Sequence, residues 1–296
     1  MGKKVFASTF AIFAAGRAYD QVRNSITYNG LDVKICATHA GLTVGEDGAS
    51  HQMIEDLALM RVLPNMTVLC PSDANSAKWA LNAAYEHHGP VYIRLGRVAV
   101  PEYHESTAGY KIGKAVRMKR GKDVSIIACG MLIGPALEAV ELLKAEGISA
   151  GLMDMITIKP LDMAAVLEDA ASCGAIVTAE EHNIIGGLGG AVAETVTSAF
   201  PVPVVRVGVK DTFGESGKPW ELMVRLGLSA EHIAIIENEI LTNELIQAFF
   251  AGYIPTKPTD AKAWNTDQVR WGRVGIDVGS LRKTLTGRHY AGIWSD

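Results

Sequence analysis

Short runs of β-branched and other apolar residues recur along most of the chain, each followed by a stretch with helical spacing. They predict strands at Lys4–Ser8, Val33–Thr38, Met66–Cys70, Val91–Leu95, Val124–Cys129, Gly151–Met155, Ala175–Ala179 and Val204–Val207. Between them, Ser72 to His87 reads as a helix, with Ser72 a natural N-cap after Pro71. A second helical stretch leads from Met131 to Glu146, where Ile133, Leu137 and Val140 make an apolar stripe that Lys144 ends. Such alternation predicts an α/β protein with two doubly wound, mostly parallel-sheet domains, helices covering both faces.

The rhythm breaks at Gly96 to Lys122, which holds Pro101, Gly109, Gly113 and Gly121 and reads as a linker or a crossing strand. It fades again near Gly252. The expected organisation is therefore a first domain at 1–98, a linker at 99–122, a second domain at 123–250 and a C-terminal extension at 251–296. That extension carries seven Lys or Arg against four Asp, and three of the five tryptophans. It reads as a docking segment or a poorly ordered appendage.

Composition narrows the function classes. The chain has 296 residues, 48% hydrophobic and 20% charged, as in ordinary globular proteins of about two domains. A net charge of −4 without a basic block lacks the footprint of a nucleic-acid binder. No apolar run approaches the roughly 20 residues that span a bilayer. Lys3 and Lys4 before Val5 to Ala15 imitate a secretory signal peptide, but the same residues read as a strand entering a helix. Cys36, Cys70, Cys129 and Cys173 are widely spaced and form no CxxC, as expected of reduced, buried thiols in a cytoplasmic protein.

The chemistry concentrates in one loop, Thr38-His39-Ala40-Gly41-Leu42-Thr43-Val44-Gly45-Glu46-Asp47-Gly48-Ala49-Ser50-His51-Gln52. It leaves a predicted buried strand and enters a predicted helix at Met53 to Arg61, where α/β folds place ligands. Two imidazoles and two carboxylates can hydrogen-bond a polyhydroxylated substrate and exchange protons near neutrality. A structural turn and a metal site built from His39, Asp47 and His51 are the rival readings. A phosphate-cradling loop fits poorly, because Glu46 and Asp47 would repel the anion. Phe10 and Phe13, at i, i+3 spacing, read as one helical face packed in the core. Gly187 and Gly189 suggest close packing at a helix start more than a dinucleotide fingerprint.

The run Thr38 to Gln52 closely resembles the T-H-…-G-E-D-G-…-H-Q motif of the transketolase family. Ser8-Thr9-Phe10-Ala11-Ile12-Phe13, Leu63-Pro64-Asn65-Met66, Arg94-Leu95-Gly96-Arg97, Glu180-Glu181-His182-Asn183, Gly186-Gly187-Leu188-Gly189 and Phe213-Gly214-Glu215-Ser216 extend the resemblance over roughly Lys3 to Leu245. His39 and Gly45-Glu46-Asp47-Gly48 favour transketolase over the sister deoxyxylulose-phosphate synthases, which usually carry Asp and Gly-Ala-Asp-Gly there.

The resemblance implies transfer of a two-carbon ketol unit between sugar phosphates on thiamine diphosphate, which carries the carbanion chemistry. By match to the family, Phe10 and Phe13 pack on the cofactor's pyrimidine, and His39 and His51 line the reacting centre. Asp47 binds a substrate hydroxyl and Arg97 grips the phosphate. A family tyrosine falls near Gly16 or Arg17, with Tyr19 a candidate substitute. The family's G-I-A-E-Q-N motif, upstream of the position matching Lys3, is not found in this sequence. The resemblance thus implies an N-terminally truncated pyrimidine-binding domain, then the family's C-terminal domain. It also implies an N-terminal transketolase section, or further copies of the chain, as partner. Magnesium would sit in the partner's diphosphate-binding domain. A non-catalytic scaffold of the same fold and a synthase-like section are the alternatives.

Overall fold

The computed structural model describes residues 2–235, which belong to one structural unit containing two five-stranded sheets. The expected extension at 251–296 lies outside the described residues. The strands are β1 (Val5–Phe10), β2 (Val33–Thr38), β3 (Thr67–Leu69), β4 (Val91–Arg94), β5 (Val116–Lys119), β6 (Val124–Ala128), β7 (Ala150–Asp154), β8 (Thr157–Lys159), β9 (Ile176–Asn183) and β10 (Val204–Val209). The helices are α1 (Tyr19–Gln21), α2 (Asp56–Val62), α3 (Ala74–Glu86), α4 (Ile133–Ala145), α5 (Met163–Cys173), α6 (Leu188–Ala199) and α7 (Pro219–Arg225).

The first sheet runs β1-β2-β4-β3-β8 and the second β10-β9-β6-β7-β5. Four strands in each are mutually parallel; β8 and β5 are antiparallel edges. The central strands β3, β4 and β6 are buried along their whole length, which explains their unbroken apolar runs. β1 differs: among the described residues it pairs with β2 alone, and Val5 and Phe6 are exposed. Among the described residues no helix is long and apolar enough to cross a membrane.

Two strands were not among the predicted runs, although a crossing strand was one reading of 96–122. β5 lies inside the expected linker and closes the second sheet against β7. β8 has only three residues, too few to display a period of two, and pairs with β3 across the chain. Lys159 secures it by donating to the Arg61 and Leu63 carbonyls at 2.9 and 2.6 Å. The second half of the sequence thus supplies an edge of the first sheet.

Local readings are also revised. β1 runs on to Phe10, paired with Thr38, so Phe10 ends a strand and does not share a helix with Phe13. Helical backbone then follows in three pieces: π-helical Ile12–Arg17, α1, and π-helical Val22–Thr27. In α4 the buried face is Ile133, Ala136, Ala139, Val140 and Leu143, while Leu137 is only half-buried. Cys36, Cys70 and Cys129 are free and buried; Cys173 is free and half-buried.

The cap of α3 is Asp73, not Ser72. Asp73 accepts from the Ser76 amide at 2.7 Å in a capping box, a stronger arrangement than a lone hydroxyl offers. Its other oxygen accepts the Tyr103 and His104 amides, both at 2.8 Å. Asp73→Ala should therefore remove a cap and strand two amides, costing about 2–3 kcal/mol in chemical denaturation. A cost below about 1 kcal/mol would show that these bonds matter little.

Ser72 turns the other way and donates to Asp154 at the end of β7. His104 Nε2 lies 2.8 Å from the same Asp154 oxygen, and Tyr110 holds His104 Nδ1 at 2.8 Å. Serine, histidine and aspartate meet here without a relay geometry, since Ser72 Oγ, at 3.1 Å, and Asp154 both meet the same imidazole nitrogen, Nε2, and Tyr110 takes the other. The cluster fastens the connecting segment to both sheets.

Candidate functional site

The loop after β2 opens on His39, whose φ of 57° is uncommon for a residue with a side chain. This turn lays the imidazole flat against Phe10, with ring centroids 3.8 Å apart and planes 9° from parallel. Phe10 is delivered by the neighbouring strand end. Phe13, past the strand-to-helix turn, stacks 5.9 Å from Phe10 at 14°. His51, at the far end of the loop, stands edge-on to Phe13 at 5.7 Å and to Phe10 at 6.5 Å. Ser50 Oγ holds its Nδ1 at 2.9 Å. Arg17 covers Phe13 at 4.5 Å, near where the family tyrosine was expected.

The charged residues adjoin these rings. Arg97, three residues beyond β4, donates to the Val44 carbonyl and lies 3.8 Å from Glu46 and 4.0 Å from Asp47. It remains 39% exposed and Asp47 43% exposed, so both can still meet a ligand. His39 connects the two groups: burial and then Arg97 lower its pKa, while Asp47 opposes them. All six residues singled out from the sequence therefore gather around one loop. Among the described residues no group of three or more His, Cys, Asp or Glu could hold a metal.

What the sequence did not reveal is the support behind the loop. Gln52 is buried and donates to the carbonyls of Leu42 and Gly45, both at 3.2 Å, and of Glu215 at 2.8 Å. Arg94 proves structural: its Nε reaches both Asp56 oxygens at 3.1 and 2.9 Å, and Tyr92 donates to Asp56 at 2.8 Å. Arg94 Nη2 also donates to the Glu181 carbonyl at 2.8 Å. Glu181, in β9, accepts the Thr43 amide at 2.6 Å. Arg94, Asp56 and Glu181 are far apart along the chain, so no local spacing could have paired them.

The glycine cluster has a separate role. Glu180 accepts the Leu188 and Gly189 amides at 2.7 and 2.8 Å, and a Cβ at Gly187 would overlap that carboxylate. An internal acid thus fills the place where a phosphate would sit on a helix N-terminus.

The profile of the transketolase pyrimidine-binding domain matches residues 1–102, and that of the transketolase C-terminal domain matches residues 113–233. A protein of Methanocaldococcus jannaschii provisionally named a transketolase C-terminal section is 48% identical over 236 residues, covering 79% of this chain and 74% of the relative. One of the subunits of an apulose-4-phosphate transketolase from Phocaeicola vulgatus is 37% identical, covering 78% of this chain and 74% of that subunit. Among solved structures, a split-gene transketolase described as an inactive β4 tetramer superposes with a TM-score of 0.77 at 52% identity, covering 81% of this chain and 77% of that one. Two domain profiles over most of the described residues, and relatives matched along most of their own length, make this chain a member of the transketolase family.

Proposed function

We propose that the chain is the C-terminal section of a split, thiamine-diphosphate-dependent transketolase that passes a two-carbon ketol unit between sugar phosphates. The convergence of Phe10, Phe13, His39 and His51 with Asp47 and Arg97 supports this reading most strongly. The half-buried rings of Phe10 and Phe13 suit the apolar face of a pyrimidine, although His39 already covers one side of Phe10. The cofactor, when bound, supplies the electron sink for carbon–carbon bond cleavage. His39 and His51 then orient the carbonyl and hydroxyl oxygens of the sugar and carry protons to and from them. Asp47 accepts a substrate hydroxyl, and Arg97 takes a phosphate in bidentate fashion. Diphosphate and magnesium fall to a partner chain, an N-terminal section of the same enzyme. The transketolase subunits among the relatives, and the inactive state of the β4 assembly, fit a chain that needs such a partner.

The test combines the full chain with a cognate N-terminal section, thiamine diphosphate and magnesium, and follows ketol transfer between sugar phosphates. Turnover should require both chains. Its absence beside an active control enzyme would count against the proposal. In the active pair, Arg97→Gln should raise KM for phosphorylated sugars about 10- to 100-fold, the loss of a charge-assisted bond, with a smaller effect on kcat. An unchanged KM would remove Arg97 from the phosphate subsite.

A further inference from the structure

Behind the loop, charge is unevenly matched. Among the described residues Arg94 is the one guanidinium in this buried cluster, and Asp56 takes it through both carboxylate oxygens. Glu181, 1% exposed, receives from Arg94 only a bond to its main-chain carbonyl. Its carboxyl accepts the Thr43 amide with Oε1, while Oε2 and the Thr43 hydroxyl are both buried without a hydrogen-bond partner among the described residues. The carboxyl also lies where a Cβ at Gly41 would stand, so it fits tightly beneath the turn that follows His39. Two acids thus share one cation, and the acid beneath the loop lacks a counter-charge of its own.

We propose that Glu181 is a positioning residue for the loop that carries His39, Asp47 and His51, and that it acts as a neutral, proton-bearing carboxyl. A proton on Oε2 relieves the second buried negative charge beside Asp56 and leaves Oε1 free to hold the Thr43 amide. The charged groups facing it are Arg94 from β4 and Asp56 from α2; the loop itself contributes only Thr43. Burial raises the Glu181 pKa, against the opposing pull of Arg94 and of Thr43. A folded-state pKa raised above the unfolded value makes the contribution complete at low pH and lost as pH rises through the folded value. The loop should therefore loosen on the alkaline side. Sequence distance hid this contact: Glu181 lies in β9 and Thr43 in the loop after β2, 138 residues apart.

The proposal rests on reading the loop as the reacting site, but its test does not use turnover. Amide exchange at Thr43 in the full chain, corrected for the intrinsic effect of pH, is measured between about pH 5 and pH 9. In the wild type, protection should fall as pH rises. Glu181→Gln, neutral at every pH, should keep the protection and abolish its pH dependence. Glu181→Ala should speed exchange about tenfold or more. If Glu181→Gln loses protection as fully as Glu181→Ala, the ionised form is required and the proposal is wrong. It is equally wrong if Glu181→Ala matches wild type. Should a variant fail to fold, the wild-type side-chain carboxyl carbon is titrated by NMR: ionisation already complete below about pH 5 would overturn the neutral form. No ketol transfer together with an intact Thr43 response would count against the proposed reaction alone.

Discussion

Asp56→Ala should destabilise the chain by about 3–5 kcal/mol, the usual cost of leaving one member of a buried ion pair without the other. Asp56 is fully buried in the first turn of α2, where it receives Arg94 Nε and the Tyr92 hydroxyl. Removing it leaves a guanidinium only 3% exposed without the carboxylate that accepts its Nε, and a phenol without its acceptor. The loss comes from the unpaired charge, so replacing both members by apolar residues of similar size, Asp56→Leu with Arg94→Met, should recover much of the stability. Urea titration of the single and double variants separates the two effects. A single variant within about 1 kcal/mol of wild type would mean that the pair is not holding β4 against α2.

The second large effect concerns rate. Paired with an active N-terminal section, His51→Ala and His39→Ala should each lower kcat about 10²- to 10⁴-fold, the range for a positioned proton-transfer group. Far-UV circular dichroism should stay unchanged, since both rings lie at the rim of the sheet and outside its core. His39 adds a signature in pH. Burial and Arg97 keep its imidazole neutral further into acid than usual, with Asp47 opposing. Arg97→Gln removes a cation, so the His39 midpoint should rise, as ring-proton NMR can record. A midpoint that stays in place would mean that Arg97 and His39 do not share a site.

Much of the molecule was legible in its sequence because the signals are local. Alternating apolar runs exposed the two mostly parallel sheets, and one dense loop exposed the candidate site. The extension of β1 to Phe10 was not legible, because pairing with Thr38 continues a strand that the residue pattern ends at Ser8. Nor was the cap of α3: adjacent Ser72 and Asp73 both suit the task, and their long-range partners divide the roles, Asp154 taking the hydroxyl and the 103–104 amides a carboxylate oxygen. The supports beneath the loop were invisible for the same reason. Glu181, Arg94 and Gln52 act through carbonyls and amides whose positions only the fold determines.

The crossing of β8 bears on how such a protein can be cut and inherited. Its residues belong to the second half by order and to the first sheet by hydrogen bonding. A gene divided at the glycine-rich connection would release a first half whose β3 flank is bare, ready to recruit a foreign ribbon. Exchanging halves between relatives would likewise separate β3 from the ribbon it matches. The most visible seam in the sequence is therefore a poor place to break this molecule, and the two halves are expected to have travelled through evolution as one piece.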